Sequence, residues 1–359
     1  MDILPSFDHA QLGLKMALLS PRFDVLVDAH FDGKTEFTLW RKIEIRKDIE
    51  MPKLFVDGKT IGFPVPDRTL PNKISFRHLK IKYIDHSVIS FLRSNQQIWD
   101  RSGTKLALEV YSYERDVQPI WDVFVSQIWP AFAANIRHLD LVDVEYLDNF
   151  HRLISPTILT DLNQLNAINS GDLCPDVLLA DDFDGPTNAI SAGQALSKWL
   201  RTPTTNGQPK RLHCWANSYL LNFEWITIFK ETFSRATVSA SYKIRFGLYG
   251  YGPTPIEPFE FVNEQTKEKL TLRKDEDVYY WLLKRCPIIV GETAAVQKQR
   301  EKDENLADDL YYSGANLNNV LLYLTDFQDR IGPLSPPADK SEENVCSSAA
   351  GPSSDQRNE

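Results

Sequence analysis

The feature that most limits how this chain can fold is a short Leu-x-Leu strand pattern that returns along its middle. It occurs at Leu79-Lys80-Ile81-Lys82-Tyr83, Leu106-Ala107-Leu108-Glu109-Val110 and Leu139-Asp140-Leu141. A looser version is Leu162-x-x-Leu165-x-x-Ile168-Asn169, followed by Leu212-His213-Cys214-Trp215 and Tyr242-Lys243-Ile244-Arg245-Phe246. The leading residues lie 27, 33, 23, 50 and 30 positions apart, and most of these gaps fit one strand plus one helix stacking on the next such unit. The intervening segments are amphipathic. His86 to Trp99 places Ile89, Leu92 and Trp99 on one side, and residues 117–134 carry Ile120, Phe124, Ile128 and Phe132 at four-residue steps. Ser191 to Leu200 and Leu220 to Arg235 read as further helices. Alternating strands and helices dictate an α/β fold with parallel strands. An open α/β sheet and an irregular β-α solenoid both satisfy the pattern; short strands and loose spacing favour the solenoid.

The flanks read differently. Phe37 to Arg46 and Lys53 to Ile61 alternate as strands, with Asp57-Gly58 as a two-residue hairpin turn because both positions tolerate positive φ. Pro64, Pro66 and Pro71 mark a linker, and Pro253, Pro255 and Pro258 end the repeat region. Pro258 to Asn263 and Glu268 to Arg273 flank a polar turn as a second hairpin, Val278 to Cys286 follows as a strand, and Ala294 to Tyr312 reads as helix. The 50-residue gap holds an acidic loop from Cys174 to Ala192. The expected division is 1–31 as short helices, 32–72 as hairpin and linker, 73–252 as repeat body, 253–330 as hairpin and helix, and 331–359 as a tail whose composition cannot bury a core.

At the N-terminus, Leu12, Met16, Leu19, Phe23 and Leu26 fall at four- and three-residue steps and share one helical face. Ser20-Pro21 divides that stripe: the serine hydroxyl caps a new helix and proline suits its first position.

Charge and motifs narrow the function. The formal charge is -9, but residues from Arg300 onward hold 12 acidic and 5 basic side chains, leaving 35 basic against 37 acidic before them. A near-neutral body without a basic block argues against nucleic acid as the main partner. No run approaches a membrane span, and the first residues lack a signal peptide's basic start and apolar block, so an intracellular chain with no membrane partner is expected. Cys174, Cys214, Cys286 and Cys346 are widely spaced and read as reduced structural thiols. Gly247, Gly250 and Gly252 have the wrong spacing for a dinucleotide loop and precede prolines. Asp181, Asp182 and Asp184 lack the later glutamate of a calcium loop. The seven histidines show no ligand spacing; His78 and His138 each precede a repeat leucine, and adjacent His213 and Cys214 point to opposite faces of a strand. The second stripe of the 117–134 helix, Trp121, Val125 and Trp129, reads as core. No cofactor, metal or catalytic constellation is expected, and the chain does not read as an enzyme.

Leu4-Pro5, the apolar helix from Gln11, and Leu19-Ser20-Pro21-Arg22-Phe23 followed by Leu26-Val27-Asp28 resemble the second half of an F-box. Only three residues precede Leu4-Pro5, so the segment reads as an F-box remnant without its opening helix. With Ile136 to Asp140, Ser155 to Asn166, Gln194 to Leu200 and Trp281 to Ile288, the order of segments is similar to nematode F-box-associated proteins, in which an F-box precedes a leucine-rich-repeat-like α/β body and a C-terminal hairpin region. The resemblance implies an irregular leucine-rich-repeat-like β-α solenoid with small β-hairpin regions at both ends. It further implies a substrate-recognition subunit of a Skp, cullin and F-box ubiquitin ligase. Leu4, Pro5, Leu12, Met16, Leu19, Phe23 and Leu26 would meet a Skp-type adaptor, and the body would hold a target protein. A repeat-type binding module without a ligase connection is the alternative.

Overall fold

The computed structural model describes residues 20–32, 38–49, 51–58, 60, 62–67, 69–70, 74–99, 103–110, 118–141, 144–171, 192–204, 207–217, 224–249, 256–275, 280–289, 291, 293, 295–296, 299–300, 302–303 and 317–323. The fold is mixed α/β. Helix α1 (Pro21–Asp32) begins as its sequence dictates, with the Ser20 hydroxyl accepting from the Phe23 amide at 3.4 Å. It buries Val27 completely. Strands β1 (Thr38–Asp48), β2 (Met51–Val56) and β3 (Phe63–Pro64) follow as an antiparallel meander. Asp57 and Gly58 have positive φ, as expected, but the two-residue hairpin turn falls elsewhere. Asp48 faces Met51 in the β1–β2 register, so Ile49 takes the left-handed conformation at φ 60°.

Next come β4 (Ile74–Ile81), helices α2 (His86–Ser94) and α3 (Gln96–Trp99), and β5 (Thr104–Glu109). Asp85 caps α2 by accepting from the Val88 amide at 3.0 Å. Helix α4 spans residues 118–132 and widens to a π turn over Phe124–Ile128. That turn precedes Pro130, which has no N–H to donate and whose ring would collide with a regular preceding turn. Both stripes of α4 are core: Phe124, Ile128 and Phe132, and also Trp121 and Trp129, are buried. Strand β6 (Ile136–Leu141) leads to α5 (Val144–Leu153), the single turn α6 (Ile158–Asp161), and β7 (Ala167–Ser170). Then follow α7 (Ala192–Arg201), β8 (Lys210–Asn217), α8 (Glu224–Arg235) and β9 (Tyr242–Tyr249). Strands β10 (Phe259–Asn263), β11 (Glu268–Lys274) and β12 (Tyr280–Pro287) form the C-terminal meander where the polar turn placed it. The expected helix after Ala294 is described only at residues 295–296, 299–300 and 302–303, which are helical.

The thirteen strands among the described residues form one sheet in the order β10-β11-β12-β9-β8-β7-β6-β5-β13-β4-β1-β2-β3. Eight of them, from β9 to β1, run parallel. The unexpected member is β13 (Asn318–Tyr323), which returns from the far end of the chain and slots between β4 and β5. The looser repeat also needs correction. Leu162 and Leu165 are buried in the turn before the strand, and the residue paired with Leu139 and Leu212 is Ile168. Equivalent positions Leu79, Leu106, Leu139, Ile168, Leu212 and Ile244 are therefore 27, 33, 29, 44 and 32 residues apart. The acidic loop at 174–191 and the tail at 331–359 lie outside the described residues.

The registers assign one side of every strand to the core. Leu79 and Ile81, Val320 and Leu322, Leu106 and Leu108, Leu139 and Leu141, Ile168, Leu212 and Cys214, and Ile244 and Phe246 all join a single buried cluster with the helices. The helices pack neighbour to neighbour, α2 on α4, α4 on α5, and α5 and α6 on α7. These crossover helices form one layer on one face of the sheet, which is what right-handed crossovers stepping steadily in one direction produce, whereas the helical residues Val296, Gln299, Arg300 and Asp303 line a pocket with Arg211 and Lys243 of the opposite face. Cys214 and Cys286 are buried, unbridged thiols. Among the described residues no helix is long and apolar enough to cross a membrane.

One buried ion pair fixes the C-terminal meander. Arg285 on β12 donates to Glu268 on β11 from Nε at 3.0 Å and from Nη2 at 2.7 Å, and Nη2 also donates to the Val238 carbonyl at 2.7 Å. The second Glu268 oxygen accepts from the Ala240 amide at 2.8 Å. Breaking such a pair leaves an uncompensated buried charge. Replacement of Glu268 by Ala is expected to cost about 3–5 kcal/mol in urea unfolding, against less than about 1 kcal/mol for Glu264→Ala, whose partner Lys267 is exposed with it.

Candidate functional site

An x-Leu-x-Leu strand that commits its leucines to the core must turn the intervening residues to the opposite face. Here that face is polar. The residues before the core positions stand in one row across the sheet: Lys42, His78, Asn319, Lys105, His138, Ala167, Arg211 and Lys243. The residues after them make a second row: Glu44, Lys80, Leu321, Ala107, Asp140, Asn169, His213 and Arg245. His138, Ala167, Arg211 and Lys243 in the first row are buried, whereas the second row from Lys80 to Arg245 is half-buried along its described length. Counting every strand, the face carries basic side chains at Lys42, Arg46, Lys53, Lys80, Lys105, Arg211, Lys243, Arg245, Lys269, Arg273 and Lys284. Acidic ones stand at Glu44, Asp48, Glu109, Asp140 and Glu260. Eleven against five is a strong local excess in a chain whose formal charge is -9.

Two clusters break up this face. The first surrounds a cavity of about 500 Å³ where β13 enters the sheet, lined by Lys42, His78, Lys80, Lys105, Glu109, Asp140 and Asn319 with Ala107 and Leu321. Lys105 pairs with Asp140 at 3.0 Å, and the Asn169 amide donates to the other Asp140 oxygen at 2.9 Å. The Lys80 ammonium sits 4.4 Å from the Tyr323 ring centre. A hydrogen bond with Tyr323, opposed by burial and aided by Glu44 and Glu109, raises its pKa. Burial pushes the Glu44 carboxyl up, but the Lys82 ammonium at 2.9 Å, with Lys42 and Arg46 nearby, pulls it further down. His78 is lowered by burial and by Arg77 and Lys42.

The second cluster is aromatic. Trp215 and Tyr280 meet edge to face with ring centres 4.7 Å apart, His213 lies 5.4 Å from Tyr280, and the Arg245 guanidinium stacks 4.1 Å from the same ring. Asp275 holds Arg245 at 2.7 Å. Trp215 can lie across β9 only because the residue there is Gly247; a Cβ at that position would collide with the indole. Cys214 points the other way into the core, as adjacent strand residues must.

Of the residues expected to meet an adaptor, Leu4, Pro5, Leu12, Met16 and Leu19 lie outside the described residues. Phe23 is 37% exposed, Leu26 is half-buried, and the residue α1 commits to the body is Val27, which the stripe did not include. The sheet face itself was not singled out from the sequence, although its signal was present: His78 and His138, noted as repeat equivalents, belong to its first row. Among the described residues no group of three or more His, Cys, Asp or Glu could hold a metal ion.

The histidines of this face give it a pH dependence. Burial, reinforced by Arg245 and Lys105 and opposed by Asp140 and Asp275, holds His213 down to about 4. Burial and the Lys105 and His213 charges hold His138 well below the usual imidazole value. Both are neutral when folded and take up protons more readily when unfolded. The contribution of these two imidazoles to stability should therefore be constant above about pH 6.5 and fall below it, by about 1.4 kcal/mol per pH unit for each. Urea unfolding of His213→Gln between pH 7 and 4.5 should lose less than the parent chain; parallel profiles would refute this assignment. Comparison with protein-family models, curated proteins and solved structures finds no match for this chain.

Proposed function

We propose that this chain is a protein-binding module of irregular leucine-rich-repeat-like design, acting in the cytoplasm or nucleus as the substrate-recognition subunit of a Skp, cullin and F-box ubiquitin ligase. The observation that carries the binding reading is the contrast between the faces: helices α2, α4, α5, α7 and α8 cover the leucine face, while the other face presents a row of half-buried polar side chains and a cavity. The stepwise strand order from β4 to β9, broken only by β13, supports the solenoid description. The F-box resemblance supplies the ligase assignment, and α1 suits it. Its Val27 anchors the helix to the body while Phe23 and Val25 remain 37% and 67% exposed, available to an adaptor.

In this role the protein performs no covalent chemistry. Adaptor contacts through Leu4, Pro5, Leu12, Met16, Leu19, Phe23 and Leu26 fix one end, the sheet face fixes the target, and ubiquitin transfer gains from the raised effective concentration of target lysines. Burying a Phe or Leu side chain contributes about 1.5–3 kcal/mol. Phe23→Glu and Leu19→Asp should accordingly weaken co-purification with a Skp-type adaptor by at least tenfold with no change in thermal unfolding. Val27→Asp should unfold the chain. If the full chain fails to bind an adaptor at micromolar concentration, the ligase assignment falls and a binding module without a ligase connection stands in its place.

A further inference from the structure

Resting on the reading of the sheet face as the partner-holding surface, we propose that its ligand is an extended acidic peptide segment. An Asp or Glu of that segment enters the lysine-lined cavity beside β13, and a large apolar side chain about six or seven residues away covers the Trp215–Tyr280 pair. Three observations support this. Leaving aside the buried Arg211 and Lys243, the face carries nine basic and five acidic side chains, so charge complementarity selects an acidic partner. The cavity concentrates Lys42, Lys80 and Lys105 around about 500 Å³, room for a carboxylate-bearing side chain. Half-buried Trp215 and Tyr280 offer an aromatic edge of the kind that anchors peptide side chains.

The spacing follows from sheet geometry. Four strand steps separate β13 from β8, where Trp215 stands, and a fifth reaches β9, over which its ring lies. At about 4.8 Å per step the two anchors are roughly 19–24 Å apart, which an extended chain of about 3.3 Å per residue spans in six or seven residues. Between them the second row offers Ala107, Asp140, Asn169 and His213, a neutral or mildly acidic floor suited to uncharged linking residues. This floor also disfavours nucleic acid. Glu109 and Asp140 line the same cavity as the lysines, and a nucleic-acid strand, charged at every nucleotide, would press charge against them, whereas a peptide can alternate acidic and neutral side chains.

The test is an array of dodecapeptides in a Gly-Ser background, varying the separation between an Asp pair and a Trp, probed with the full-length chain. Binding should peak at separations of six or seven, disappear when Lys replaces the Asp pair, and weaken with added salt. Lys42→Glu, at a side chain 50% exposed, Lys80→Gln and Trp215→Ala should each reduce that peak at least tenfold while circular dichroism confirms folding. Binding that ignores peptide charge, or tighter binding of a single-stranded oligonucleotide at physiological salt, would overturn the proposal. An array without any signal, from a chain that still captures adaptor through Phe23, would overturn the acidic-peptide ligand and leave the ligase reading intact. Array binding that survives loss of adaptor capture would support the ligand while removing the ligase.

Discussion

Burial of one side of each strand beneath a single layer of helices is the constraint on which the rest of this molecule depends. The columns formed by Leu79, Val320, Leu106, Leu139, Ile168, Leu212 and Ile244, and by Ile81, Leu322, Leu108, Leu141, Cys214 and Phe246, are almost wholly withdrawn from water. At about 25 cal/mol per Å² of apolar surface this is the dominant favourable contribution. Because it is satisfied on one face, the other is released from the requirement to be apolar. The polar rows, the lysine-lined cavity and the stacked Arg245, Tyr280 and Trp215 exist on that released face.

The polar face is also organised rather than merely solvated. Asp140 binds Lys105 and Asn169 across three adjacent strands, and Asp275 orients Arg245 over Tyr280. Such contacts contribute little each to stability when partly exposed, but they fix long side chains in one arrangement. That lowers the entropy a partner must remove on binding. The buried Arg285–Glu268 pair serves the fold differently: it joins β11 and β12 to the chain entering β9 and so extends the sheet beyond its parallel part.

Much of the fold was legible in the sequence because strand periodicity and helix caps are local. The Leu-x-Leu runs located β4, β5, β6, β8 and β9, Ser20-Pro21 located the start of α1, and the polar turn at 264–267 located the β10–β11 hairpin. Where local signals competed, the reading slipped. Leu162 and Leu165 are as apolar as a strand residue but lie in the turn before β7, and the positive φ at Asp57 and Gly58 is not where the tight hairpin forms. The placement of β13 could not be read at all, since Asn-Asn-Val-Leu-Leu-Tyr is compatible with any strand and its neighbours lie more than two hundred residues away. The candidate face was half legible: the residue on each side of every repeat leucine was in view, but its meaning required knowing that the helices between the parallel strands take the same side.

That late strand gives the molecule a direction in time. Strands β4 and β5 do not pair with each other; each pairs with β13, whose first residue follows the end of β5 by 209 positions. A ribosome therefore releases two sheet fragments with facing unpaired edges long before the strand that joins them, and such edges are prone to wrong pairings. The cavity and its lysines form only when β13 arrives. A nascent or C-terminally clipped chain can thus present helices and much of the sheet, yet not the surface that the strand completes.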